Sequence, residues 1–230
     1  EIDFNIIEKL CKDFNITLNS INPCNSGIIA LVFKGKIIDE DGEKNIVVKL
    51  KKIGIEEKYN DAINILLEIV YYLSFIPLLN NIDFYKMVKD SKESILLQTN
   101  FKNEVNNCNL MYNKYKQHPE FVIPKAYTQI TDKYDSVIVM EDITGLKVKD
   151  LFKIEKHYKE EIGKLLIRFG ILGGIIYGCT NGDLHAGNVF FYKNENDDIY
   201  PYKLGIIDFG LCYFIKDENL YYYKLFFYDV

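Results

Sequence analysis

Residues 180–210 read TNGDLHAGNVFFYKNENDDIYPYKLGIIDFG and place an acid at Asp183, an amide at Asn188 and a second acid at Asp208. One carboxylate and one amide oxygen suit a hard cation such as Mg2+, which keeps several of its own waters. The D-x-x-x-x-N spacing from Asp183 to Asn188 is that of a loop whose acid faces a hydroxyl and whose amide oxygen reaches a metal. Asp208, in Asp-Phe-Gly after the apolar run 204–207, then supplies the second metal ligand. Phosphoryl transfer from ATP also needs a Lys on the phosphates and an acid to hold that Lys. Lys49, ending the β-type run NIVVK, is the candidate for the first, and Glu104, on an expected helix, for the second. Each residue alone has a plainer reading: a polar turn, a solvated strand end, a surface Glu. Their order along the chain, on strand, helix, loop, loop and strand end, makes ATP-dependent phosphoryl transfer the leading reading.

Other chemistries fit less well. His185 has only His118 and His157 for company, with no second His at metal-ligand spacing, so a zinc role is not expected. Its expected work is hydrogen bonding within the loop or packing beside Asp208. The five cysteines, Cys11, Cys24, Cys108, Cys179 and Cys212, stand singly and without C-x-x-C pairs. That argues against a disulfide framework and for reduced thiols in an intracellular protein. None has a His or acid at nucleophile spacing. A net charge of -5 without a block of Lys or Arg argues against a nucleic-acid partner.

The elements that must position these residues follow from periodicity. Phe4, Ile7, Cys11 and Phe14 predict a short amphipathic helix over 3–14. SGIIALVFKGKIIDEDGEKNIVVKL predicts a β-hairpin turning at DEDG, residues 39–42. Helices are expected over 55–76 and over 92–117, the latter with Leu96, Leu97, Phe101, Val105 and Leu110 on one face. Short strands are expected within 121–130 and 136–140, a long helix over 156–177, and paired strands at NVFFY and YKLGIIDF. AINILLEIVYYLSFIPLL, residues 62–79, is as long as a minimal membrane span, but Asn64, Glu68 and Pro77 favour a buried helix. If the protein faces a membrane, this is the segment for it. The resulting fold class is α+β and bilobal, with a β-containing N-terminal lobe over 1–140 and a mostly helical C-terminal lobe over 141–230.

In this order the motifs resemble those of the UbiB/AarF-type atypical kinases, a family associated with coenzyme Q biosynthesis. NSGIIALVFKG stands where the family has a loop like S-I-A-Q-V, and VVKLKKIGIEEKYNDA resembles its V-K-x-x-x-x-G-I-E-E. LLQTNFKNEVNN is similar to its D-F-x-x-E-A helix. TNGDLHAGNVFF and GIIDFG resemble H-x-D-x-H-x-G-N and L-I-D-F-G. The likeness covers residues 23–210, and the family's inserted helices account for the long interval between Lys49 and Glu104. It implies a protein-kinase-like fold with inserted helices and a Lys49–Glu104 pair. It also implies a phosphate-covering loop over 25–30 with Asn25, Ser26, Gly27 and Ala30, and Val32 as the roof over adenine. Val47 would lie beneath the base, where a smaller Ala is usual, and Met140, Glu141 and Asp142 would form the hinge. ATP and Mg2+ are the implied cofactors.

Some features depart from the pattern. The family's K-x-G-Q extension has no counterpart before Pro23, which leaves substrate choice open. Asn181 replaces the His that begins the catalytic-loop motif, a change expected to loosen loop packing without removing a reacting group. The chain ends 20 residues past Gly210, so a short member and a fragment are both open. The acceptor is an unidentified hydroxyl on a small molecule, lipid precursor or protein, or else water. The resemblance also implies proximity to membranes. Two alternatives stand beside this reading: a phosphotransferase like those for choline or aminoglycosides, whose loop NGDLHAGN also fits, and a nucleotide-binding pseudokinase scaffold.

Overall fold

The computed structural model describes residues 3–76, 82–143, 145–147, 156–193 and 199–228. They form two compact units, Glu1–Asn103 with Gln129–Val139, and Glu104–Thr128 with Met140–Val230.

The first unit opens with α1 (Phe4–Asp13), started by Asp3, whose carboxylate accepts the Ile6 N–H at 3.2 Å. A short strand β1 (Ile16–Leu18) and the two-residue β2 (Asn25–Ser26) precede the long pair β3 (Ala30–Asp39) and β4 (Gly42–Lys51). The hairpin closes with Asp39 opposite Gly42, whose φ of 109° only glycine adopts without strain. With β6 (Val137–Glu141) the sheet runs β1-β3-β4-β6, and β2 adds to β3. Alternation along the hairpin divides its faces. Leu31, Phe33, Ile37, Ile46, Val48 and Leu50 are buried, while Ala30, Val32, Lys34, Val47, Lys49 and Lys51 share the half-buried opposite face.

Two helical expectations need correction. The single helix over 92–117 is two helices, α3 (Phe84–Leu97) and α4 (Phe101–Tyr115). The Thr99 hydroxyl donates to Leu96 O at 2.8 Å as α3 closes, and Asn100 caps α4 by accepting the Asn103 N–H at 3.1 Å. The apolar face expected across the break dissolves: Phe101 and Val105 are buried, whereas Leu97 and Leu110 are exposed. The second correction concerns residues 62–79. In α2 (Ile55–Leu73) only Ile55, Ile63 and Val70 are buried. Ile65, Leu66, Ile69, Tyr71 and Tyr72 are exposed, as are Phe75 and Ile76 beyond the helix end. Its helical neighbour α3 has no buried residue, so α2 has too little packed surface to cover its apolar side chains. Residues 77–79 lie outside the described residues. No described helix is long and apolar enough to cross a membrane.

Residues 104–128 group with the second unit, as do those from Met140 onward. The reason is the buried face of α4. The Cys108 thiol donates to Pro124 O, and Tyr115 stacks on Phe169 at 4.5 Å and meets Phe121 and Tyr177 edge-on. The strand expected within 121–130 is reduced to β5 (Phe121–Val122), followed by α5 (Thr128–Lys133). The helix expected over 156–177 is α6 (Lys156–Ile171) running into a π-helical turn, Leu172–Tyr177, that ends at Gly178 with φ 60°. Then come β8 (Cys179–Asn181), β9 (Val189–Lys193), β10 (Tyr202–Ile206), β11 (Cys212–Phe214) and α7 (Asp217–Tyr228). With β7 (Leu146–Lys147), one sheet runs β5-β10-β9-β7, and β8 pairs with β11 in another.

Two changes test this packing. A Cβ added to Gly35 meets Thr17 O at 2.6 Å, a backbone atom that cannot swing away. Gly35→Ala should cost about 1–3 kcal/mol by overpacking, lowering the melting temperature by roughly 2–12 °C. Gly163, in α6, has open space within 4 Å of the position a Cβ would take, so Gly163→Ala should raise stability by about 0.5–1 kcal/mol. Thermal unfolding of the two variants should therefore move in opposite directions. An acid titration tests the α1–α5 tie. Lys133 Nζ and the Tyr134 hydroxyl donate to Asp13 at 2.5 and 2.7 Å, and both bonds hold its carboxyl below the usual carboxylate range. A lowered folded-state pKa stabilises the protein above the unfolded value of about 3.9 and loses that effect as pH falls through the folded value. The melting-temperature gap between wild type and Asp13→Asn should hold steady from neutral pH downward and close only in acid.

Candidate functional site

Asp183, Asn188 and Asp208 converge in the second unit because strand pairing brings their loops together. In the β8–β11 ladder Asn181 lies opposite Cys212, so residues just after β8 meet those just before β11. Gly182 N–H donates to Leu211 O at 2.8 Å, and Ile207 N–H to Asn188 O at 3.2 Å. The β9–β10 ladder sets Val189 opposite Ile206, which carries Asn188 and Asp208 to the same end of two neighbouring strands. Sequence spacing alone suggested this meeting; these ladders produce it.

Within the loop, the Asn188 amide Nδ2 donates to Asp183 O and to Asp183 Oδ2, both at 3.3 Å. The donor half of the amide is thus spent on Asp183, and its oxygen is the half suited to a cation. Asp208 Oδ1 accepts the Gly210 N–H at 3.1 Å in a local turn that orients the carboxylate. Asn188 is buried, while the Asp183 side chain is 49% exposed. That exposure is what an acid meeting an incoming hydroxyl requires. Among the described residues no group of three or more His, Cys, Asp or Glu gathers for a metal. The donor set is one of hard oxygens, fit for Mg2+ rather than zinc. His185 takes the loop-holding role expected of it. Its Nδ1 accepts the Gly187 N–H at 3.0 Å, its N–H donates to Asp183 O and its carbonyl accepts the Asn188 N–H.

Asn181 overturns the expectation of a looser loop. It is 4% exposed and bonds on both sides. Its Nδ2 donates to Asp208 O at 2.5 Å, and its Oδ1 accepts the Asp183 N–H at 2.8 Å. A side chain with one donor and one acceptor end ties the two acids together through their backbones. Sequence reasoning also missed Asn107, one helical turn beyond Glu104 on α4. It is buried and donates to Phe209 O at 2.9 Å. The signal available was the i, i+3 spacing of Glu104 and Asn107, which puts both on one helix face.

Glu104 itself is buried in the first turn of α4. Cys212 senses it: burial first, then Cys179, Asp208 and Glu104, push the Cys212 thiol up to about 12. Burial likewise pushes Cys179 up to about 11. Both thiols are neutral at physiological pH, which removes them as nucleophiles.

Of the other candidates, Val32, Val47 and Lys49 lie on the half-buried face of the hairpin in the first unit, with Val32 directly opposite Lys49 and Val47 opposite Lys34. Ala30 shares that face. Asn25 and Ser26 pair with Val32 and Leu31, and Gly27 N–H closes a turn on Ala30 O at 2.9 Å. Lys52 Nζ donates to Gly27 O at 2.6 Å and pins the loop, whose residues 25–28 are exposed. In the second unit Met140 is buried and bridges to Ala126, while Glu141 and Lys125 exchange hydrogen bonds at 3.0 and 3.1 Å. Asp142 lies near Tyr192, whose hydroxyl donates to Ile143 O and is held in its protonated form by burial and by that carboxylate.

Comparison with known proteins bears on the family and the fold. Residues 8–230 match the ABC1 atypical kinase-like domain. AarF domain-containing protein kinase 1 of Mus musculus is 23% identical over 93% of this chain and 40% of its own length. A probable protein kinase UbiB of Shewanella baltica is 24% identical over 87% of this chain and 35% of its own length. The chain thus spans well under half the length of these relatives. Among solved structures, the erythromycin complex of Rv3197 from Mycobacterium tuberculosis superposes with a TM-score of 0.70 at 20% identity, covering 93% of this chain and 52% of that one. With a family match across nearly its whole length and a fold shared with that structure, the chain belongs to the ABC1 atypical kinase-like family, in which the AarF and UbiB proteins fall, and has an α+β protein-kinase-like fold.

Proposed function

We propose that this chain binds Mg-ATP and transfers the γ-phosphoryl group to a hydroxyl acceptor. The observation that carries the reading is the bonding that ties Asp183, Asn188 and Asp208 into one part of the second unit: Asn188 spends its donor on Asp183, and Asn181 bonds the backbones of both Asp183 and Asp208. Mg2+, when bound, would neutralise charge on the phosphate oxygens. Asn188 and Asp208 would hold it. Lys49 would contact the phosphates. Ala30, Val32 and Val47 would flank the base, Asn25, Ser26 and Gly27 would cover the phosphates, and residues 140–142 would offer the base backbone hydrogen bonds. Asp183 would orient the acceptor hydroxyl and accept its proton as the new P–O bond forms, with ADP leaving. The acceptor belongs to a small molecule, a lipid precursor or a protein. Membership of a kinase-like family supports phosphotransfer in preference to a binding role, and each required position holds a competent residue.

Thermal unfolding with and without Mg-ATP tests the binding half. At about 100 times the dissociation constant a ligand adds roughly 2.7 kcal/mol, which for this length means a rise of about 5–10 °C. Asp208→Asn should abolish the Mg2+-dependent part. A wild-type protein that shows no shift with any nucleotide would overturn the reading. The chemical half is tested by ADP release across a panel of hydroxyl acceptors. Asp183→Asn should keep the thermal shift and lose about 10²- to 10⁴-fold in turnover, the usual contribution of a positioned base. Binding without turnover on any acceptor would instead favour a scaffold.

A further inference from the structure

Few polar side chains are buried among the described residues, and three of them are the amides of Asn107, Asn181 and Asn188. Two of the three address the backbone at Asp208 and Phe209. Asn181 Nδ2 donates to Asp208 O at 2.5 Å and Asn107 Nδ2 donates to Phe209 O at 2.9 Å. Consecutive carbonyls are therefore held from two different elements, the end of β8 and the middle of α4, both within the second unit. The Phe209 ring between them is fully buried.

We propose that Asn107 and Asn181 are positioning residues that clamp the Asp208–Phe209 backbone and so fix the direction of the Asp208 carboxylate. The inference rests on the reading of Asp208 as a metal ligand. Peptide planes on both sides of Phe209 are set by these bonds, which pins the backbone of Asp208 on its C-terminal side. Gly210 N–H then restricts rotation of the Asp208 side chain by donating to its Oδ1. Asn181 acts on the second acid as well, because its Oδ1 receives the Asp183 N–H at 2.8 Å. One amide thus sets the separation of the two acids. Asn107 links them to α4, the helix that carries Glu104 one turn earlier. Neither residue touches substrate; both act through the backbone of residues that do.

The test is the Mg2+ dependence of ADP binding, read with a fluorescent ADP as Mg2+ is titrated, beside ADP affinity in EDTA. Asn107→Ala and Asn181→Ala should each raise the half-saturating Mg2+ concentration by about 10- to 100-fold, as loss of groups that orient metal ligands does. ADP affinity in EDTA should stay unchanged. Mere loss of stability would lower the signal amplitude and leave the midpoint of the folded fraction in place. Asn107→Ala suits a helix and guards against a result lost to misfolding. Asn181→His keeps one donor and one acceptor nitrogen and should return the midpoint toward wild type. Metal-dependent wild-type binding with both Ala midpoints unmoved overturns the clamp and leaves the proposed function standing. A midpoint shifted by Asn181→Ala that His does not restore overturns the donor–acceptor role of Asn181. Wild-type ADP binding that ignores Mg2+ overturns the proposed function itself, and the clamp with it.

Discussion

Past the end of β10 the chain has to bury the Phe209 ring completely while keeping the neighbouring Asp208 carboxylate partly exposed. At that point the sheet ladder no longer supplies donors, and the carbonyls of both residues need partners from elsewhere. A buried carbonyl left without one costs about 1–3 kcal/mol, enough to favour another path for the loop. Much of the second unit can be understood from this requirement. The β8–β11 pairing brings Asn181 to one carbonyl, and the placement of α4 brings Asn107 to the other.

The choice of amides follows from the charges nearby. Asp183, Asp208 and Glu104 are acids of the same unit, and the electrostatic influence of the last two reaches Cys212. A Lys or Arg in place of Asn107 or Asn181 could donate the same hydrogen bonds, but would bring a cation to compete with any metal for the carboxylates. An Asp or Glu would add like charge and offer only acceptors. Asn gives a donor without net charge and is short enough to hold a fixed geometry when buried. Cys179 and Cys212 fill neighbouring positions as neutral thiols, kept so by burial. The charge of this arrangement comes from acids, and the two amides that bond its backbone add none.

How much of this is legible in the sequence depends on range. The hairpin and its faces are legible because period-two alternation is local, and Val32, Val47 and Lys49 can be placed on one face without knowing the fold. The chain order of Lys49, Glu104, Asp183, Asn188 and Asp208 is legible because motif spacing survives in sequence. The break between α3 and α4 is not, since it turns on which way Thr99 and Asn100 direct their side chains. Nor is the exposure of α2, because apolar composition does not say whether a neighbour exists to cover it. The bond from Asn107 to Phe209 spans 102 residues, and no pattern in a single sequence announces a pairing at that distance. Asn181 looks like a loss when judged by the residue it replaces, whereas what the site requires is a donor and an acceptor at the right separation.

Direction along α4 is the remaining link between core and site. A helix turns 100° per residue, so a small rotation about its axis would carry Asn107 off Phe209 O. Resistance to that rotation comes from the far end. Tyr115 is fully buried, stacks on Phe169, meets Phe121 and Tyr177 at their edges and donates its hydroxyl to Phe169 O at 2.8 Å. Close approach is built in beside it, where a Cβ on Gly173 would lie 2.6 Å from that hydroxyl. Met111 and Cys108, also fully buried, continue the same stripe toward Asn107. Residues 104, 107, 108, 111 and 115 recur at three- and four-residue steps, which is one side of a helix. An aromatic cluster two turns away thus holds the helix by its rotation, and through Asn107 that constraint reaches Phe209, the residue next to the acid on which the proposed chemistry depends.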